Sequence, residues 1–258
     1  MKQKLTVVKI GGNIIDSPSE LAAFVRDFAR LEGRKVLVHG GGAVANEMLR
    51  GSGIEPQMIG GRRVTDEQTL RVVTMVYAGL INKSLVAALQ ADRCNAIGLS
   101  GADGGVILAT RRPAEPVDYG CVGDISHVDG ALLETLMDQG LVPVLCAITH
   151  DGHGGLLNTN ADTIASAVAV ALAAHNAVQS IYCFEKRGVL ADPIDDASSL
   201  PTLSLTQYEA MKAAGSAKAG ILPKLDNAFA ALRGGVARVV IKHAADLPAE
   251  DAGTTLIL

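Results

Sequence analysis

Two lysines occupy positions where a positive charge is hard to explain without a ligand. Lys9 lies within the β-branched run at residues 7–10, which is typical of a buried strand, where a lysine is rarely found unless a negative group neutralises it. Lys224 falls in the first turn of a predicted helix, the end at which the helix dipole disfavours cations. The alternative for Lys9 is an edge-strand lysine that extends its ammonium group to solvent beside an ordinary turn.

Glycine clusters follow the first two predicted strands. Gly11 and Gly12 come directly after the first strand, and residues 40–42, all glycine, come after the second. Because the carboxyl ends of parallel strands meet at one edge of a sheet, their free N–H groups are expected to form a cradle for an anion. The chain has no G-x-x-x-x-G-K-[S/T], and no G-x-G-x-x-G follows the first strand, which excludes a P-loop and a Rossmann fingerprint there.

A carboxylate, an amide and a guanidinium complete the candidate set. Asp162 opens a predicted helix with Asn160 as a suitable N-cap, and its charge complements the helix dipole, which explains Asp162 without any catalytic role. That interpretation leaves Asn158 unexplained. Two adjacent arginines lie in a predicted hairpin or loop over residues 57–65, and a guanidinium matches a carboxylate in shape. An arginine exposed to solvent is the alternative.

This combination favours phosphoryl transfer, which depends on positioning and on neutralising charge at the phosphoryl oxygens. We predict that Lys9 and Lys224 hold the transferred group and the leaving phosphates, and that Asp162 orients both ammonium groups. Mg²⁺ on a nucleotide would supply the remaining positive charge. An acceptor that is itself a carboxylate is already ionised at neutral pH and needs no general base. The sequence has no evident Ser/His/Asp or Cys/His nucleophile, in agreement with such an acceptor.

Composition favours a cytoplasmic enzyme that binds neither nucleic acid nor membrane. The formal net charge is −4 and aromatic residues make up 3%, whereas nucleic-acid surfaces need basic stripes and stacking platforms. No unbroken apolar run reaches the roughly 18 residues of a membrane span, and we expect no signal peptide. The four cysteines are far apart and are predicted to be reduced. His150 and His153 lack further ligands for zinc, so we predict no metal bound by the protein itself.

Strand-like and helix-like patterns alternate along the chain and predict a parallel sheet with helical crossovers. The predicted helices include residues 66–77, 79–92, 130–138, 204–213 and 221–233.

Over nearly the whole chain and in the same order, the motifs resemble those of the amino acid kinase family, and within it the acetylglutamate kinases. The matching stretches are Lys9-Ile10-Gly11-Gly12, His39-Gly40-Gly41-Gly42, Gly61-Arg62-Arg63-Val64-Thr65, Gly98-Leu99-Ser100-Gly101 with Asp103-Gly104, Val122-Gly123-Asp124, Leu157-Asn158-Thr159-Asn160-Ala161-Asp162 and Pro223-Lys224. The resemblance implies a three-layer αβα sandwich with a central, mainly parallel, eight-stranded sheet. It also implies an N-terminal lobe, residues 1–176, for acylglutamate binding and dimerisation, and a C-terminal lobe, residues 177–258, for ATP.

The same resemblance implies a role for each matching residue. Lys9 and Lys224 would stabilise the transition state, and Asp162 would organise them. The N–H groups of Gly11, Gly12 and Gly41 would contact phosphates. Arg63 and Asn158 would hold the substrate's α-carboxylate, with Gly41, Gly42 and Asn160 also at the substrate.

The implied reaction moves the γ-phosphoryl group of ATP to the γ-carboxylate of N-acetyl-L-glutamate in arginine biosynthesis. N-succinyl-L-glutamate is the alternative acceptor. An alternative of another class is a non-catalytic relative that senses amino acids or binds a partner, but such a protein would be expected to lose Lys9, Asp162 or Lys224. The acylglutamate motifs argue against glutamate 5-kinase, aspartokinase and UMP kinase.

Two stretches depart from the family pattern in the predicted nucleotide lobe. Residues 184–188 stand where an aspartate-containing turn is usual, and Ala219-Gly220-Ile221 stands where G-G-M is usual. Both leave the adenosine contacts open. Arginine-inhibited members carry an extra helix before the first strand, and Lys9 comes too early for one. We therefore expect a homodimer that millimolar arginine does not inhibit.

Overall fold

Runs of valine, isoleucine and leucine form the strands around which the chain folds. The computed structural model describes residues 2–192, 194–195, 198–214 and 221–258. The strands in these ranges are β1 (Gln3–Ile10), β2 (Arg34–His39), β3 (Met58–Ile59), β4 (Arg62–Arg63), β5 (Ala96–Leu99), β6 (Ile107–Arg111), β7 (Gly123–Val128), β8 (Val142–Leu145), β9 (Ile148–His150), β10 (Leu156–Asn158), β11 (Asn176–Phe184), β12 (Thr202–Ser204), β13 (Arg238–His243) and β14 (Thr254–Ile257).

The helices lie between these strands. They are α1 (Gly12–Asp16), α2 (Pro18–Arg30), α3 (Gly42–Gly51), α4 (Glu67–Thr74), α5 (Asn82–Ala91), α6 (Gly130–Asp138), α7 (Ala161–Ala173), α8 (Leu205–Ala213) and α9 (Leu222–Arg233). A π-helical segment, Met75–Ile81, joins α4 to α5, and short 3₁₀ turns cover Asp103–Gly105 and Ala244–Asp246.

The central sheet has eight strands in the order β12-β14-β13-β11-β1-β2-β8-β5. β1 lies near the middle and pairs in parallel with β11 on one side and β2 on the other. Within the described sheet, the pairing of β13 with β14 is antiparallel and the other pairings are parallel. The predicted eight-stranded, mainly parallel sheet is therefore confirmed.

Helices cover both faces of this sheet, which gives the expected three-layer αβα sandwich. α7 packs on β1 and β11 and also contacts α9, while α5 packs on β5 and β8 and contacts α2. Small residues make up much of α7, so that its backbone lies close to the strands, and Ile164, Val168 and Leu172 are completely buried there.

The helices predicted at residues 66–77 and 79–92 form one continuous helix, Glu67–Ala91, so the predicted break between them is wrong. The π-helical segment accommodates an extra residue without ending the helix. Gly79 lies in this segment and is exposed, with no atom near its missing side chain. By length and composition alone this helix could cross a membrane, a test that core helices also pass. Here Val73, Leu85 and Leu89 pack into the protein core.

Two smaller sheets lie beside the carboxyl ends of the central strands. One has the order β10-β9-β6-β7, and the other is the hairpin of β3 and β4. Of the two alternatives predicted for residues 57–65, a hairpin or a loop, the structure shows the hairpin. Its two turn residues, Gly60 and Gly61, have φ values of +55° and +77°, as a type I′ turn requires.

Gly101 leaves no room for a side chain, and this gives a test of the fold. A Cβ atom there would lie 2.8 Å from the Ile107 carbonyl oxygen and 2.9 Å from the Thr149 Cα atom. We expect Gly101→Ala to lower the free energy of unfolding by roughly 1–3 kcal/mol in urea titrations, because backbone must move. Gly51→Ala is the control, since no atom lies within 4 Å of its added Cβ. Equal stability of the two variants would contradict the close packing at Gly101.

Candidate active site

The carboxyl end of β1 places Lys9 against the first turn of α7. Lys9 Nζ lies 2.7 Å from Asp162 Oδ1, and each side chain is only 9% exposed. This oxygen makes no well-directed hydrogen bond within the described residues, so the contact is an ion pair. Removing one partner of such a buried pair leaves an uncompensated charge, at a cost of about 3–5 kcal/mol. Lys9 is therefore not a lysine that extends to solvent.

Asn160 determines where Asp162 lies. Its side-chain oxygen accepts hydrogen bonds from the backbone N–H groups of Asp162, at 2.8 Å, and Thr163, at 3.2 Å. The predicted N-cap of α7 is thus confirmed. Since this oxygen is used in the cap, the amide nitrogen is the part of the Asn160 side chain that is left for the predicted contact with a substrate.

The glycine turns after β1 and β2 lie side by side, as predicted. Ile10 pairs with His39 at the ends of the two strands, and a Cβ atom on Gly12 would lie 3.6 Å from the Gly42 nitrogen. Gly41 has a φ of +142°, and a Cβ atom there would lie 2.0 Å from Ile81 Cδ1. Only glycine fits at this position.

Gly11 differs from the other glycines of the predicted phosphate cradle. Its N–H group donates to the Cys183 carbonyl at 3.1 Å, which continues the pairing between β1 and β11. The structure therefore does not offer this N–H group to a ligand. Gly12 and Gly41 remain as the predicted phosphate-binding amides that line the cavity.

Arg63 lines the cavity, and part of its guanidinium group has no hydrogen-bond partner in the described residues. The residue is 6% exposed, and its Nη2 donates to the Gly42 carbonyl at 3.1 Å. Its Nη1 is buried and has no hydrogen-bond partner within the described residues. A buried donor without an acceptor is costly, so a ligand oxygen at this point would be stabilising.

Asn158 is linked to Arg63 through Thr65. The Asn158 Nδ2 atom donates to Thr65 Oγ1 at 3.0 Å, and that hydroxyl donates to the Arg63 carbonyl at 3.1 Å. The end of β10 is thereby held against the hairpin, and the two residues predicted to bind an α-carboxylate belong to one network.

These groups line one cavity of about 200 Å³. The predicted residues along it are Lys9, Gly12, Gly41, Gly42, Arg63, Asn158, Asn160 and Asp162. Arg62 and Tyr77 also line it, so three cationic side chains face a single carboxylate. The excess positive charge favours an anionic ligand, and the volume, below the roughly 300 Å³ of the smallest drug-sized pockets, favours a small one.

Lys224 does not line this cavity in the structure. It lies in the first turn of α9, where its Nζ is 5.4 Å from the centre of the Phe184 ring, a cation–π contact. In the described ranges no ion pair joins it to Asp162, so a shared role for the two residues stays a prediction. Ala219 and Gly220, two of the residues that depart from the family pattern, lie outside the described residues.

No group of three or more His, Cys, Asp and Glu side chains in the described part of the chain is arranged to hold a metal ion. His150 ends β9, and the Asp151 carboxylate accepts hydrogen bonds from the N–H groups of His153 and Gly155. The prediction that the protein itself binds no metal stays a prediction.

Comparison with known proteins agrees with this geometry. The model of the amino acid kinase family matches residues 4–243. The chain belongs to this family.

Relatives of this amino acid kinase carry a more specific name. Acetylglutamate kinase from Cytophaga hutchinsonii is 52% identical over 95% of this chain and 93% of its own, and that from Bacteroides fragilis is 50% identical over 99% and 98%. Among solved structures, N-acetylglutamate synthase from Neisseria gonorrhoeae, complexed with coenzyme A and N-acetyl-glutamate, has a TM-score of 0.83 at 26% identity. That match covers all of this chain and 60% of the synthase.

Sequence reasoning missed two residues that support the predicted site of this kinase. Thr65 lies within the motif at residues 61–65, but the resemblance to the family gave it no role. Tyr77 lies near the end of the helix predicted over residues 66–77, where no local pattern distinguishes it from the apolar residues of the core. Tyr77 is buried, which raises the pKa of its hydroxyl, while the nearby Arg63 lowers it.

His39 supplies a further buried group at the end of β2. It is completely buried, and its Nδ1 lies 2.9 Å from the Gly40 carbonyl oxygen. Burial lowers the pKa of His39 from 6.5 to about 4, the hydrogen bond to Gly40 opposes this shift, and Lys83 adds to it. The imidazole is therefore neutral at pH 7.

This pKa predicts a loss of stability in acid. Because the folded pKa lies below the unfolded one, the unfolded chain binds more protons between pH 6.5 and pH 4. The stability that neutral His39 contributes is fully present above pH 6.5 and falls by roughly 3 kcal/mol towards pH 4. Urea titrations of the wild type and His39→Asn across this range should show their stability difference changing with pH. A constant difference would contradict the neutral buried imidazole.

Proposed function

We propose that the chain transfers the γ-phosphoryl group of ATP to the γ-carboxylate of N-acetyl-L-glutamate. The names of its relatives, at about half identity over nearly full length, support this reaction. The structural observation that carries the proposal is the unpaired Arg63 Nη1 in the same cavity as the Lys9–Asp162 pair. The Arg63 guanidinium group suits a substrate carboxylate, and the Lys9 ammonium group suits a phosphoryl group beside it.

Arg63 and Asn158 would bind the α-carboxylate, which directs the γ-carboxylate of the acceptor towards Lys9. An acceptor oxygen then forms a bond to the γ-phosphorus as the bond to the β,γ-bridging oxygen breaks, and ADP leaves with that electron pair. The acceptor is ionised already, so no proton has to be removed. Lys9 would neutralise charge on the phosphoryl oxygens, and the N–H groups of Gly12 and Gly41 would donate to them.

Asp162 would keep Lys9 in place without touching the phosphoryl group. Lys224, in the first turn of α9, would stabilise the leaving phosphates once its ammonium group leaves the Phe184 ring. Mg²⁺ bound to the nucleotide would supply further positive charge when ATP binds.

At the level of the whole protein, we propose a cytoplasmic homodimer that acts in arginine biosynthesis. Residues 1–176 would bind the acylated amino acid and form the dimer, and residues 177–258 would bind ATP. The division at this point is supported by the position of the cavity, whose lining residues all precede residue 177.

Trapping of the acyl phosphate tests the reaction directly. With Mg-ATP and hydroxylamine, we expect N-acetylglutamate to give the hydroxamate with one ADP per product, in preference to N-succinylglutamate, free glutamate and aspartate. Preference for N-succinylglutamate would overturn the proposal that the acyl group is acetyl, but the proposed kinase reaction would stand. Activity only on a free amino acid would overturn the substrate class, and no activity on any of the four would favour a non-catalytic relative.

Substitutions should separate transition-state from substrate contacts. We expect Lys9→Ala and Lys224→Ala to lower kcat by about 100-fold or more with smaller changes in KM, because their charge acts mainly in the transition state. Arg63→Ala should chiefly raise the KM for the acylated amino acid. Lys4→Ala, an exposed lysine on the same strand as Lys9, is the control and should leave both constants unchanged. Equal, minor effects of the three site substitutions would show that these roles are misassigned.

A further inference from the structure

A buried amide contacts the imidazole of His39 on the side away from Gly40. Asn82, the first residue of α5, is completely buried, and its Nδ2 lies 3.0 Å from His39 Nε2. The same Nδ2 donates to the Val144 carbonyl at 2.9 Å, and Asn82 Oδ1 accepts from Lys83 Nζ at 3.1 Å.

These contacts determine which nitrogen of His39 carries the proton. A carbonyl only accepts and an ammonium group only donates, so Val144 and Lys83 fix the orientation of the Asn82 amide. Its Nδ2 can only donate, which makes His39 Nε2 the acceptor. The neutral ring therefore holds its hydrogen on Nδ1, from which it donates to the Gly40 carbonyl.

The Gly40 carbonyl belongs to the same peptide unit as the Gly41 N–H group. In a planar trans peptide the two groups point in opposite directions, so drawing the carbonyl towards His39 turns the N–H group away from it. Gly41 lines the cavity, and Ile81 and Tyr77 pack against it, with Tyr77 Cδ1 3.5 Å from the Cβ position. The orientation of this peptide is thus held by its hydrogen bond and by the long helix.

Gly98 on β5 provides the space that Asn82 occupies. A Cβ atom on Gly98 would lie 1.9 Å from Asn82 Oδ1 and 2.9 Å from Lys83 Nζ, and Lys83 also donates to the Gly98 carbonyl at 2.9 Å. The glycine that opens the motif at residues 98–101 therefore has a physical reason, although it lies outside the cavity.

We propose that His39 is a positioning residue for phosphoryl transfer, held by Asn82 as the Nδ1–H tautomer so that the Gly41 N–H group faces the transferred phosphoryl group. His39 acts through the Gly40–Gly41 peptide and touches neither substrate. This inference rests on the proposed reaction.

Two substitutions of His39 each keep one of its two hydrogen bonds and remove the other. The amide nitrogen of asparagine reaches the position of Nδ1, so His39→Asn keeps a donor for Gly40. The amide of glutamine reaches the position of Nε2, so His39→Gln keeps a partner for Asn82 and leaves the Gly40 carbonyl without a donor.

We expect His39→Gln to lower kcat by about 10- to 100-fold with both KM values changed less than about threefold, since a transition-state donor is misdirected rather than removed. His39→Asn should stay within about fivefold of the wild-type kcat. Equal losses in the two variants, or a change confined to KM, would overturn the proposal. Thermal unfolding of both variants serves to show that each is folded at the assay temperature.

A spectrum of the wild-type protein tests the tautomer without any assay. ¹⁵N NMR of the histidine side chains should show His39 Nδ1 protonated and Nε2 unprotonated at neutral pH. An Nε2–H tautomer, or a doubly protonated ring, would overturn the proposal. If the wild type phosphorylates none of the four acceptors, the proposed function fails while the tautomer is still decided by this spectrum. If the wild type is active and His39→Gln equals it, only this inference fails.

Discussion

The ion pair of Lys9 and Asp162 joins the central strand of the sheet to the helix packed on it, and the site depends on this contact. Its two charges are removed from water at the edge where β1 and β2 end, so they need each other as well as a fixed backbone around them. Asn160 fixes one partner by capping α7, and the pairing of β1 with β2 and β11 fixes the other. A flexible edge could not keep such a pair buried.

The groups around this pair are arranged by contacts between distant parts of the chain. Arg63 reaches the Gly42 carbonyl from the hairpin, and Asn158 reaches Thr65 from β10. Each contact uses a polar group that the cavity would otherwise leave unpaired. Among the described groups along the cavity, Arg63 Nη1 and the N–H groups of Gly12 and Gly41 are left as donors, and the one carboxylate, that of Asp162, is paired with Lys9. The cavity is therefore complementary to oxygen-rich anions before any ligand enters.

Much of this arrangement could be predicted from local patterns. The glycine turns after two apolar strands, the N-cap Asn160 and the hairpin with two arginines each have short-range signals, and the structure brings them together. The predicted break in the helix near residue 78 was wrong because a π-helical turn depends on the packing of the whole helix and not on local spacing. The partner of the Gly11 amide, Cys183, lies on β11, and no nearby residue indicates it. Likewise, the orientation of the His39 ring depends on Asn82, 43 residues away.

The π-helical segment also sets where the length of its helix can change. A residue added to or removed from a regular α-helix turns everything beyond it by about 100°. Met75–Ile81 lies between α4, which faces β10, and Asn82, which meets His39. Because the wide turn takes up one residue more than an α-helical turn, the two ends keep the faces that they would have in a regular helix. A one-residue insertion within α4 has no such turn to absorb it and would rotate Asn82 relative to the face that packs on β10.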